Sequence, residues 1–139
     1  MIITTAHDHI IEKYQVNFKD KTLVVETRYF DDRFPENMIN EKTDIVFSQY
    51  LTHVFGSAMS GTVIFDIKER PLSHFLKSEK ITLEISKSSA WPMWYETEEE
   101  LCSFLQENEF KAFHIGSSYG LNGWVIAKNM ELITTNLTD

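Results

Sequence analysis

A two-residue alternation near the start of the chain constrains it more than any other feature. Between His9 and Phe18 the apolar residues Ile10, Tyr14, Val16 and Phe18 fall on even positions, while Lys13, Gln15 and Asn17 fall on odd ones. That period belongs to a strand with one wet face, not to a helix. Thr22–Phe30 repeats it, with Leu23, Val25 and Tyr29 on one face and Glu26 and Arg28 on the other. Lys19-Asp20 then forms the tip of a hairpin. If facing positions sum to 39, Val16 meets Leu23, Tyr14 meets Val25, Ile10 meets Tyr29, and Lys13 meets Glu26. Each such cross-strand pair contributes roughly 0.2–1 kcal/mol. A one-residue slip would put the two apolar rows on opposite faces.

The alternation resumes after 31–42, a stretch without a clean period that reads as a loop. Thr43–Leu51 carries Ile45, Phe47 and Leu51 on one face. Gly61–Lys68 carries Val63, Phe65 and Ile67 inward, with Asp66 and Lys68 outward. Thr52–Ser60 between them reads as a helical turn or an irregular connection. Beyond Pro71, which suits a helix start, Leu72, Phe75, Leu76 and Leu83 fit a helical face. Ile81, Leu83 and Ile85 also fit a strand; helix is favoured. Thr97 with Glu100 is a capping-box pattern, and Leu101, Cys102, Phe104 and Leu105 form an apolar stripe ending near Asn108. Phe110–Ser117 and Trp124–Ile133 read as two strands around a turn at 119–123. The expected fold is α+β, an antiparallel sheet of about six strands in the order ββββ-α-α-ββ with one or two helices on one face. Its 139 residues suit one domain over 1–139, being too few for two domains with separate cores.

Composition narrows the function classes. Hydrophobic residues make up 42% and charged residues 24%, which excludes wholesale disorder. No apolar run reaches the roughly 18 residues of a membrane span, and no basic residue precedes an apolar stretch at the N-terminus. A cytoplasmic location without a membrane partner is expected. The net charge of −8 argues against nucleic acid as the main partner. One cysteine, Cys102, excludes an intramolecular disulfide and a multi-cysteine zinc site.

Four constellations could carry chemistry. Gly116-Ser117-Ser118-Tyr119-Gly120 satisfies G-x-S-x-G, but a nucleophile elbow needs a following helix and a histidine later in the chain. The last histidine, His114, precedes the serine. Cys102 and His114 could be imagined as a thiol and its base, yet Cys102 sits on an apolar stripe, where cysteine packs as a small hydrophobe. His7-Asp8-His9, with Asp32 across the hairpin from His7, offers two imidazoles and a carboxylate to a metal or small ligand. Trp91-Pro92-Met93-Trp94-Tyr95 concentrates aromatic side chains. Between Trp91 and Phe110 the chain has six glutamates and no lysine or arginine. Trp91, Trp94, Tyr95, Glu98 and Glu99 are therefore the candidate contacts for a basic protein partner. No catalytic residue and no cofactor is expected.

His7-Asp8-His9-x-Ile11, Thr22–Tyr29, Thr43-Asp44-Ile45-Val46-Phe47, Val63-Ile64-Phe65-Asp66-Ile67 and the closing Ser118-Tyr119-Gly120-Leu121-Asn122-Gly123-Trp124-Val125 resemble small bacterial proteins, among them immunity proteins of polymorphic-toxin systems. The resemblance implies a non-enzymatic protein that binds and neutralises a basic toxin domain. The alternative is a small-ligand or metal-binding domain using His7, His9 and Asp32. An exposed sheet edge would also permit a strand-paired homodimer.

Overall fold

The first hairpin sets the frame. The computed structural model describes residues 2–3 and 8–137. Strands β2 (Ile10–Asn17) and β3 (Thr22–Asp31) pair with Val16 opposite Leu23, Tyr14 opposite Val25 and Lys13 opposite Glu26, and Lys13 Nζ lies 3.3 Å from Glu26 Oε2. The register shifts between Ile11 and Lys13, so Ile10 faces Arg28 and not Tyr29. A bulge inserts one unpaired residue and inverts the alternation beyond it. Ile11 therefore joins the core, while Ile10 is exposed.

Strand β4 (Ile39–Gly56) is a single element of 18 residues and corrects two expectations. It begins inside the stretch expected to be loop, which shortens to 32–38, and it runs through Thr52–Gly56, expected to be irregular. Gln49 at φ +51° and a register shift between Tyr50 and Thr52 bend it. The bend reverses the phase, turning Tyr50 inward and putting Leu51, expected beside Phe47, in the second core. In β5 (Val63–Arg70) register shifts flank Ile64: Ile64 and Ile67 are buried, Val63, expected inward, is only half-buried, and the side chain of Phe65 lies outside the described residues.

The chain continues through helices α1 (Leu72–Ser78), α2 (Lys80–Ser86) and α3 (Glu98–Glu107) to strands β6 (Lys111–Tyr119) and β7 (Asn122–Asn136). A short strand β1 (Ile2–Ile3) pairs with β5. The fold is thus α+β, with a seven-stranded antiparallel sheet and three helices, one more strand and one more helix than the sequence pattern resolves. Strand order is β1-β5-β2-β3-β4-β7-β6, and an additional β5–β6 pairing curls the sheet back on itself. The weak seam is β2–β5, where only Ile10 and Val63 are register partners. It is closed by backbone bonds from Asp8 N–H to Ile64 O, Ile64 N–H to His9 O and Ile11 N–H to Thr62 O.

Closure yields two cores. Leu23, Val25, Ile45, Phe47, Ile115 and Val125 fill the inner face. Phe75, Leu76, Leu101 and Leu105 pack the helices against Trp124 and Ile126 on the other face of β7. Where the inner core ends it turns polar. Thr27 Oγ1 donates to Thr43 O at 2.9 Å, and Thr43 and Thr134 share a hydroxyl bond of 2.9 Å. Such pairing satisfies groups that would be costly to bury alone.

Candidate protein interface on the helical layer

The segment between α2 and α3 is held by two inward-packed aromatics. Trp91 is half-buried against Trp124, with ring centroids 5.8 Å apart, and its indole N–H donates to Thr52 Oγ1 at 2.8 Å. Tyr95 is buried and its hydroxyl donates to the Leu83 carbonyl at 3.3 Å. Burial, reinforced by Glu84 and Glu98, raises the Tyr95 phenol above its ordinary value. Lys87 lies over the Tyr95 ring and also donates to the Glu96 carbonyl. Between these anchors Trp94 is 69% exposed. The five-residue aromatic run is thus divided: Trp91 and Tyr95 fix the loop, and Trp94 is presented.

Helix α3 starts where the sequence places it. Thr97 Oγ1 accepts from Glu100 N–H at 3.1 Å, and Glu100 Oε2 accepts from Glu96 N–H at 3.1 Å. That is a capping box reaching one residue further back than the usual arrangement. Capping fixes the side of the helix that carries Glu98 and Glu99. Glu98 is half-buried and Glu99 exposed. Cys102 is half-buried at the margin of the stripe, not enclosed within it.

Sequence spacing alone misses what α2 contributes. Ile81 and Ile85, one helical turn apart, are 75% and 74% exposed while Leu83 is buried. Lys80 and Lys87 bring cations to the acidic segment, lining with Glu84 and Glu98 a cleft of about 170 Å³ beside Tyr95. The acidity is therefore less one-sided than the stretch from Trp91 to Phe110 suggests. It remains dominant: residues 71–109 hold eight glutamates and three lysines, a net −5 of the chain's −8. Among the described residues none of these glutamates makes an ion pair. Several charges on β2, β3 and β4 are paired instead: Lys42 Nζ lies 3.0 Å from Glu26, and Arg28 lies 3.6 Å from Glu12.

The other candidates separate. His7 lies outside the described residues. His9 is buried beside Thr27, stacked on Tyr29 with centroids 5.3 Å apart. The Thr27 hydroxyl gives its one proton to Thr43, so His9 Nδ1, 3.0 Å away, is the donor and Nε2 carries the lone pair. Burial lowers the His9 pKa against the opposing pull of Glu41 and Asp8. Asp32 is exposed on the loop after β3. Among the described residues no three His, Cys, Asp or Glu side chains converge on a point that could hold a metal. Gly116–Tyr119 ends β6, and Gly120 at φ +90° leads directly into β7. That is strand–turn–strand, not the strand–turn–helix of a nucleophile elbow. No hydrogen bond joins Cys102 and His114 among the described residues. No helix among those residues is long and apolar enough to cross a membrane. Comparison with protein-family models, with curated proteins and with solved structures returns no match to this chain.

Proposed function

We propose that this chain is a non-enzymatic protein-binding module whose helical layer docks on a basic partner, as an immunity protein docks on the toxin domain it neutralises. One observation carries the reading: Trp94 stands in solvent on a loop clamped on both sides, by the half-buried Trp91 and the buried Tyr95. An exposed indole gives the fold little packing energy, whereas a pre-organised one gives a partner a large anchor with little entropy left to lose. Tryptophan in such a position is the residue type most enriched at binding hot spots. Ile81 and Ile85 add exposed apolar surface on the neighbouring helix. The unpaired glutamates around them favour a positively charged partner, raising its association rate at low salt more than its final affinity.

The test uses purified basic nuclease toxin domains as probes, with binding followed by biolayer interferometry across salt. For a domain that binds, Trp94→Ala should weaken affinity by about 30-fold, the effect of a 2 kcal/mol hot spot. Glu98→Gln with Glu99→Gln should slow association at low salt and flatten its salt dependence. Binding left unchanged by both variants, with the fold intact, would place the docking surface elsewhere.

A further inference from the structure

Strand β7 is covered on both sides for only part of its length. β4 pairs with it from Asn122 to Asn136, whereas β6 pairs only with Gly123–Ala127. From Glu131 to Thr135 the outer edge of β7 has no strand neighbour among the described residues. The hydrogen-bond phase follows from Leu137, whose N–H donates to Asn40 O at 2.7 Å. In an antiparallel ladder alternate residues point their peptide groups at the same neighbour. Ile133 and Thr135 therefore bond to β4, and Leu132 and Thr134 direct their N–H and C=O groups outward.

Free edges invite pairing with another chain, and folded proteins guard them with lysine, proline, bulges or inward charges. The unpaired edge of β2 is guarded in this way, by the bulge before Lys13 and by Lys13 itself. The edge of β7 is not. Glu131-Leu132-Ile133-Thr134-Thr135 has one charge, no proline, no lysine and three consecutive β-branched residues. No register shift interrupts its pairing with β4 from Glu131 to Thr135. Ile133, on the outer face beside Asp44, is 47% exposed.

We propose that this edge pairs with its own counterpart in a second copy, forming a two-fold dimer through antiparallel Glu131–Thr135 strands. The phase restricts the register, because outward-pointing Leu132 and Thr134 must face outward-pointing residues. Centring the axis on Ile133 sets Leu132 opposite Thr134 and Thr134 opposite Leu132, giving roughly four backbone bonds. Ile133 then meets Ile133 at the close, non-hydrogen-bonded position, and Glu131 meets Thr135 and not another carboxylate. Nearby charges are already compensated, since Lys42 pairs with both Glu26 and Asp44. The segment thus matches its own copy in side chain and hydrogen-bond phase and sets no like charges opposite each other, which favours a second copy as its occupant. This edge is separate from the helical layer, so the dimer stands or falls independently of the docking reading above.

Sedimentation equilibrium from about 5 μM to 1 mM, the range in which small interfaces associate, tests it. The average mass should rise from monomer to dimer. Ile133→Lys sets two ammonium groups against each other on the axis and should weaken association at least tenfold. Thr134→Pro removes an outward N–H that β4 does not use and should do the same. Ile133→Cys, in a Cys102→Ser background, should oxidise to a covalent dimer, because close-paired Cα atoms lie within disulfide reach. Circular dichroism and thermal melting confirm folding, and Ile133→Lys serves alone if the proline variant does not fold. A monomer at every concentration, or a dimer indifferent to Ile133→Lys, overturns the proposal.

Discussion

Two tryptophans of this chain occupy opposite extremes. Trp124 is 3% exposed, its ring centroid 4.8 Å from that of Phe75 in an edge-to-face arrangement and 5.8 Å from that of Trp91. Its truncation to alanine should cost about 3–5 kcal/mol, as large aromatic deletions in cores do. Trp94→Ala, at an exposed site, should change unfolding free energy by no more than about 0.5 kcal/mol. Urea denaturation of both variants measures this contrast and shows whether Trp94 serves the fold or only its surface. Glu109 offers a second single-residue test. It closes α3 at φ +62°, with its N–H bonded to Gln106 O and the Phe110 N–H bonded to Leu105 O at 2.8 Å. That motif favours glycine, and a side chain in the left-handed region costs about 1–2 kcal/mol. Glu109→Gly should therefore raise stability by about 1 kcal/mol, visible as a higher urea midpoint. Gly123→Ala should do the reverse and severely destabilise the fold, because the added methyl would run into the Val54 carbonyl on the neighbouring strand.

At the scale of elements, Thr97→Ala should cost about 1 kcal/mol, since it leaves the Glu100 N–H without its cap. This helix start was legible because a cap, its partner three residues on and the apolar stripe all lie within one short window. The β2–β3 hairpin was legible for the same local reason up to Lys13. Beyond it, the bulge at Glu12 shifted the phase without leaving a glycine or proline to mark it. In β4 the left-handed residue is Gln49, a residue type that gives no turn signal, so one bent strand read as a strand followed by an irregular segment. Bulges of this kind are set by sheet closure and not by local propensity. The candidate interface was half legible. Its aromatic and acidic composition is local, but the partners that divide Trp91 and Tyr95 from Trp94 are Thr52 and Leu83, 39 and 12 residues away. The lysines that temper its acidity lie earlier in the chain, Lys80 at the start of α2 and Lys87 just past its end.

The molecule as a whole joins a closed sheet, whose β2–β5 seam rests on few backbone bonds, to a helical layer carrying most of the net charge. Three histidines are built into the sheet. His9 lies at the seam, His53 on the inner face of β4 with its Nδ1 2.7 Å from the Tyr50 hydroxyl, and His114 on β6 between β5 and β7. Burial lowers the pKa of each, assisted at His114 by Arg70. A histidine that resists protonation when folded but titrates near 6.5 when unfolded lets the unfolded state bind more protons. Stability from this source is complete above about pH 6.5 and is lost as pH falls toward the lowered folded values. Carboxylates add a later step of the same sign. Lys42 holds Glu26 below its usual range, and Arg33 holds Asp31 down to about 2, so their contribution persists until more acidic conditions. The urea midpoint should thus decline in two stages, the first below about pH 6.5 and the second below about pH 4.5. Replacing His9, His53 and His114 by glutamine should flatten the first stage and leave the second in place. A triple variant whose midpoint falls between pH 7 and 5 as steeply as the parent's would show that other groups set the acid sensitivity of the fold.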